Sequence, residues 1–278
     1  FLNIIYTSYM TSSGPLFELT KALNKVSMTL GNFVKFQSYV EPLRGVTKRK
    51  FTINEVGGEV YSSMLREDNR DEKIKYIIKH YLQFSDISDI RVKRSDISDD
   101  ELEVKLVNDS GKERNIRDFG FGFSQVLPIL YKSLENLNFN ANKDKKLRRQ
   151  INFPSQILII EQPEIHLHPA IQSRLASFFI QVHLDFRKTF IIETHSEHLI
   201  LSNQVHIKKS AKKAKSSNIH KSSKIFFVNK KKLRGDKVRK ASIIDAIDFK
   251  EDGMLSKPFP DDFFDLSMSM YRDLVKPN

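Results

Sequence analysis

Gln156-Ile-Leu-Ile-Ile-Glu161-Gln162-Pro163-Glu164-Ile-His166-Leu-His168-Pro169 is the stretch on which the fold turns. Its four consecutive aliphatic residues show no polar alternation, which is the pattern of a central strand covered on both faces. The run stops abruptly at an acid and a proline turn. From residue 168 to 186 the apolar positions Ile171, Leu175, Phe178, Phe179 and Val182 return at helical spacing, and Thr189-Phe-Ile-Ile192 is a second unbroken apolar run. Strand, helix and strand in this order predict a right-handed parallel crossover, hence an α/β chain whose mostly parallel sheet is flanked by helices. A further helix is expected over 195–201.

Working outward, apolar residues recur at helical spacing over 12–30 (Leu16, Leu19, Leu23, Val26, Leu30), and Gly31 follows where a helix would stop. A short extended stretch over 33–36 leads to the turn Glu41-Pro-Leu-Arg44-Gly45. Residues 60–84 predict one or two helices. Arg91-Val-Lys-Arg94 and Glu101-Leu-Glu-Val-Lys-Leu-Val107 alternate with period two, Asn108-Asp-Ser-Gly111 is turn chemistry, and the chain returns through Ile116, so a solvent-faced hairpin is expected. Four regions result: an N-terminal helical and hairpin part over 1–116, a core over 117–204, a basic flexible loop over 205–224, and C-terminal strands with a tail over 225–278.

The 278 residues can bury a substantial core, and a 40% hydrophobic content with 21 Phe excludes a wholly disordered chain. The absence of Cys excludes disulfides, cysteine-ligated zinc, iron–sulfur clusters and a cysteine nucleophile. No apolar run approaches the roughly 18 residues that would span a bilayer, and the apolar opening Phe1-Leu-Asn-Ile-Ile-Tyr6 lacks the basic flank and cleavage site of a signal peptide. No membrane partner and a cytoplasmic location are therefore expected. Between Val205 and Lys240 lie 14 Lys/Arg and one acid, Asp236, so the rest of the chain is close to neutral although the whole carries +12. Such a segment reads as a solvated loop or as a contact for a polyanion, and nucleic acid is the partner to consider over 207–240. No aromatic residue interleaves the lysines before Phe226.

Both apolar strands end in an acid, Glu161 and Glu193, and ligands of open parallel sheets bind beyond the carboxyl ends of the strands. Glu161, Gln162, Glu164, Glu193, His195 and His198 are thereby predicted near one rim. A carboxylate held on a rigid strand can orient the water shell of a phosphate-bound Mg²⁺, and an imidazole beside it can touch a terminal phosphate or fix an attacking water. Upstream, Gly120-Phe-Gly122-Phe-Ser124-Gln125 opens an apolar helix, where backbone N–H groups and a hydroxyl suit an anion. Taken singly, each feature has a plainer reading. Glu161 is also an ordinary strand-ending acid, Gly120 and Gly122 are also turn glycines, and His198 is also a cap or packing residue. Arg44 reads as a turn residue, Phe178, Phe179, Phe186 and Phe190 as packing, and Phe263 and Phe264 as anchors of the tail.

The order Gly-Phe-Gly-Phe-Ser-Gln-Val-Leu-Pro128, then Ile-Ile-Glu161-Gln-Pro-Glu-Ile-His-Leu-His-Pro169, then Ile-Glu193-Thr-His195-Ser-Glu-His-Leu199 resembles bacterial AAA-type ATPases of the ABC-like branch, relatives of the RecF, SMC and overcoming-lysogenisation-defect proteins. The tail Lys257-Pro-Phe-Pro-Asp-Asp-Phe-Phe-Asp265 also resembles the C-terminal segment of one subgroup. The resemblance implies the C-terminal lobe of a P-loop NTPase core, with ATP and Mg²⁺ as ligands and a head-to-head homodimer. It implies that Glu161 is the Walker B acid at Mg²⁺ and that His195 is the switch histidine. Ser124 and Gln125, after Gly122, are implied to be signature residues facing the γ-phosphate held by a second protomer. The turn at His166-Leu-His168 is implied to line the dimer interface. Such a cycle can be coupled to nucleic acid or to an effector, as in phage defence or DNA maintenance.

Two departures qualify what is implied. No Gly-x-x-x-x-Gly-Lys-Ser/Thr occurs in the chain. With the Phe1 start, that predicts a C-terminal fragment or truncated product that binds ATP weakly and hydrolyses almost none. Gln162 stands where many relatives carry the catalytic glutamate, and an amide cannot accept a proton as a carboxylate does, so Glu164 is the substitute to consider. Two other readings stay open. One is a degenerate ATPase lobe kept as a scaffold. The other is a metal-dependent hydrolase using His166, His168, His195, His198 and Glu193 as zinc ligands.

Overall fold

The computed structural model describes residues 37–42, 49–53, 58–137, 139, 156–213, 219–233 and 239–259. The expected helix over 12–30, the stretch 33–36, Arg44, Phe263 and Phe264 lie outside the described residues.

The decisive stretch folds as read. Strands β1 (Gln37–Val40), β6 (Ile157–Glu161) and β7 (Thr189–Glu193) form a parallel sheet in the order β1-β6-β7. Helix α4 (Pro169–Phe186) makes the crossover from β6 to β7. Its start is set locally: His168 is extended and its Nδ1 accepts the Ala170 N–H at 3.3 Å, while Pro169 occupies the first turn, where no N–H is needed. Arg187 ends the helix in a left-handed conformation.

Among the described residues the expectation of two covered faces holds for one. Leu158 and Ile160 are fully buried, and Phe190 and Ile192 pack with them against α4 and against helix α3 (Phe121–Ser133). On the opposite face Tyr39, Ile159 and Ile191 stand side by side in register, with Tyr39 48% and Ile191 50% exposed. An aliphatic run shows that burial is tolerated on both sides of a strand. It does not supply the element that covers each side.

The N-terminal part is built around β4 (Glu101–Asn108), which pairs antiparallel with β3 (Ile87–Arg94) on one side and with β2 (Phe51–Thr52) and β5 (Glu113–Asn115) on the other. The expected hairpin is present, with Leu102, Val104 and Leu106 fully buried at alternate positions. Residues 60–84 resolve into two helices, α1 (Gly58–Arg66) and α2 (Arg70–His80). A short 3₁₀ turn, Ile116–Phe119, leads into α3. Both sheets share one core, which also contains Tyr61, Ile77, Leu127 and Phe178.

The segment 205–224, expected as a flexible loop, is largely helical. Helix α5 begins at Glu197 and continues through Lys213, and a short helix α6 spans Ile219–Ser222. Lys and Ala are good helix formers, and Ile207 and Ile219 supply anchors that the lysine-rich composition hid. Both are buried in a small second cluster with Ile180 and Phe249. Strands β8 (Lys224–Leu233) and β9 (Arg239–Asp248) then pair as a two-stranded antiparallel ribbon.

Candidate functional site at the sheet rim

The C-terminal ends of β6 and β7 bring Glu161 level with Glu193. The strands stay coupled past this point, because Gln162 donates its N–H to the Glu193 carbonyl at 2.8 Å. The chain then turns sharply, with positive φ at Gln162 (43°) and His166 (61°) and hydrogen bonds from Ile165 N–H to the Gln162 carbonyl and from Leu167 N–H to the Glu164 carbonyl.

This turn throws Glu164 across to the neighbouring strand. One of its carboxylate oxygens accepts the His195 N–H at 2.7 Å and the other accepts the Thr194 hydroxyl at 2.8 Å. Thr194 in turn accepts the Ser196 N–H at 3.0 Å. Ser196 caps α5 by accepting the Leu199 N–H at 3.1 Å, and its hydroxyl donates to the Gln172 amide oxygen at 2.5 Å. Gln172 also donates to the Leu167 carbonyl at 2.9 Å. The backbone that carries His195 is therefore fixed by Glu164 on one side and by the α5 cap on the other. Glu164, expected as a substitute base, has both oxygens engaged in holding this loop.

Glu193 and His195 face outward together at the end of β7. His195 Nε2 lies 3.7 Å from Glu193 Oε1, both well exposed. On β1, the Tyr39 phenol donates to Glu161, and this bond, desolvation and the charges of Glu161, Glu41 and Glu193 push its pKa up to about 12. Tyr39 escaped the sequence reading because only the parallel register of β1 beside β6 brings it to Glu161. Gln172 and Thr194 escaped it for a similar reason, since their partners lie 24 and 30 residues away.

The start of α3 meets the same turn. Gly122 passes so close to it that a Cβ there would lie 2.8 Å from the His166 carbonyl oxygen. Backbone packing alone therefore requires a glycine here. Ser124 and Gln125, expected to face a second protomer's phosphate, are buried. They are 3% and 1% exposed, within a stretch from Ser124 to Leu130 that is buried throughout. The apolar helix seats itself in the core and takes these two side chains with it.

The hydrolase reading finds no support. Among the described residues no three His, Asp or Glu side chains come together as a metal-ligand set. His166, His168 and His198 are exposed on the turn and on α5. A magnesium ion needs fewer protein ligands, one or two carboxylates with phosphates and waters completing its shell. The paired ends of β6 and β7, with Glu161 oriented by Tyr39, fit that demand.

A family model described as an AAA ATPase domain matches residues 47–200, more than half of the chain. The chain belongs to the AAA ATPase domain family. The match takes in the antiparallel sheet, α3 and the ends of β6 and β7, but not β1 with Tyr39, and it ends short of the β8–β9 ribbon. Among solved structures, this AAA ATPase domain is similar to an SMC ATPase described for its ATP-driven dimerisation and DNA-stimulated activation, at 10% identity over 78% of this chain and 99% of that one, with a TM-score of 0.39. An Smc head domain from Pyrococcus furiosus, bound to the C-terminal domain of ScpA, is 12% identical over 93% of this chain and 47% of its own length, with a TM-score of 0.37. The Smc head domain of Pyrococcus yayanosii matches at 12% identity over 93% of this chain and 36% of its own, with a TM-score of 0.36. No curated protein matches the sequence. No helix among the described residues is long and apolar enough to cross a membrane.

Proposed function

We propose that this AAA ATPase domain binds a magnesium–triphosphate at the rim of β6 and β7 and takes part in slow ATP hydrolysis within a head-to-head homodimer, coupled to nucleic acid. The observation that supports this best is the level placement of Glu161 and Glu193 on adjacent parallel strands, with His195 next along the second. When bound, magnesium supplies neutralisation of phosphate charge. Glu161, held by the Tyr39 hydroxyl, orients its water shell. His195, with its backbone pinned by Glu164, reaches the terminal phosphate. Gly122, Ser124 and Gln125 act indirectly in this reading, by fixing the start of α3 beneath the turn that carries Glu161 and Glu164. The exposed His166 and His168 lie where a second protomer would meet the turn.

Gln162 sets the rate. Its N–H is committed to the Glu193 carbonyl and its amide takes no proton, while Glu164 is committed to the His195 loop. The same observation favours a second reading, a lobe that binds and holds a partner without turnover. A protein that also carries a phosphate-binding loop separates the two. Gln162→Glu is expected to raise kcat by at least ~10-fold, since general bases contribute about 10²–10⁴-fold. Unchanged turnover with intact ATP binding would favour the scaffold. Residues 1–278 alone are expected to bind ATP weakly and turn over almost none, and turnover by them that Glu161→Gln abolishes would refute the need for a loop supplied from elsewhere.

A further inference from the structure

Beyond the region that matches the family, β8 and β9 pair without interruption from Lys224 beside Asp248 to Leu233 beside Arg239. One face of this ribbon is anchored. Ile247 is buried, Ile225 packs on the cluster of Ile180, Ile207, Ile219 and Phe249, and the Phe227 ring meets Phe259 at 6.2 Å. The foot is also tied down, since Gln204 of α5 donates to the Gly253 carbonyl at 2.9 Å. Among the described residues nothing covers the other face: Phe226, Val228 and Ile244 are 64%, 64% and 65% exposed. Val228 is paired with Ile244 and Phe226 stands two positions away, so the three make one continuous apolar patch.

Charge is graded along the same ribbon. At the foot it is cancelled, with Lys224 3.1 Å from Asp248 and Lys257 3.0 Å from Asp245. Past Val228 neither strand contains an acid, and Lys230, Lys231, Lys232, Arg239 and Lys240 follow, with Lys232 and Lys240 in register. Lys230 and Lys232 fall at alternate positions with Phe226 and Val228.

We propose that the β8–β9 ribbon enters a groove of duplex DNA, with the basic far end on the phosphates and the Phe226–Val228–Ile244 patch against the base edges. This rests on the reading of 207–240 as a nucleic-acid contact and narrows it to one element. A two-stranded ribbon fits the major groove, which is about 12 Å wide, and cations on such a ribbon displace counterions from the backbone. An acidic membrane would also attract lysines, but a hairpin that inserts into lipid leads with its apolar residues. Here the apolar patch lies nearer the foot of the ribbon than Lys230, Lys231, Lys232 and Lys240.

The test is fluorescence anisotropy of a labelled duplex of about 30 base pairs, titrated with the full chain at several salt concentrations. Lys230→Ala/Lys231→Ala/Lys232→Ala is expected to weaken binding by at least ~10-fold and to make the slope of log K against log salt shallower by about 2–3. Phe226→Ala, at an exposed position, is expected to weaken binding about threefold or more with the slope unchanged, and it stands alone should the triple variant fail to fold. Lys208→Ala/Lys209→Ala on α5 serves as the comparison and is expected to matter little. Duplex binding that survives both ribbon variants but falls with the α5 pair overturns the ribbon and leaves the nucleic-acid reading standing. Absence of binding to duplex and single strand alike overturns both. Binding to anionic vesicles, or to single strand, without binding to duplex overturns the ribbon proposal.

Discussion

Glu164 has the sequence position of a candidate base and the contacts of a clamp. Its two oxygens hold the His195 N–H and the Thr194 hydroxyl, so the loop that ends β7 depends on a carboxylate that left β6 three residues earlier. Hydrogen bonds to a charged group contribute about 1.5–3 kcal/mol each. Glu164→Ala is therefore expected to lower stability by about 2–4 kcal/mol in urea unfolding, and Glu164→Gln, which keeps one acceptor, to recover part of that loss. Equal stability of wild type and Glu164→Ala would mean that Ser196 and Gln172 hold the loop without it. Glu161 shows the converse. Its carboxylate is met by a phenol from another strand and stays partly exposed at the rim.

Among the elements, α3 links the two ends of the parallel sheet. Its first turn touches the rim, where Gly122 lies against the His166 carbonyl. Its last turn reaches the opposite end, where Ser38 of β1 donates to Glu135 at 2.9 Å and Lys188, just before β7, donates to the Lys132 and Glu135 carbonyls at 3.1 Å each. A side chain at position 122 would have to push the His166 turn away, because the atom it meets is backbone. Although alanine is the better helix former, Gly122→Ala is expected to cost about 1–3 kcal/mol. A thermal unfolding midpoint at or above that of wild type would show that the turn yields freely. The helical course of α5 makes a related point: local composition favoured a loop, and the buried Ile207 anchors it as a helix.

At the scale of the whole molecule, Lys188 is a cation enclosed by the fold. It is 2% exposed, and burial pushes its pKa down to about 7, with Lys73 and Lys132 pushing the same way against the pull of Glu135. An unfolded chain keeps this lysine protonated up to its ordinary value of 10.5. Between about pH 7 and that value the unfolded state binds a proton the folded state lacks, so this contribution to stability rises with pH across the window and is lost as pH falls through about 7. The limit is about 5 kcal/mol. Lys188→Met is expected to flatten the rise in unfolding midpoint between pH 7 and pH 9.5 relative to wild type. Parallel pH profiles for the two proteins would show that Lys188 stays charged inside.

The crossover from β6 through α4 to β7 and the acids at both strand ends were legible from the chain alone, since strand and helix are each written in residues close together along it. Tyr39 beside Glu161, the engagement of Glu164, the inward burial of Ser124 and Gln125 and the bare face around Ile191 were not. Each depends on which strand lies beside which, or on which face a helix covers, and those contacts join residues tens of positions apart. Periodicity states what a segment can bury; only the packed chain determines what it meets.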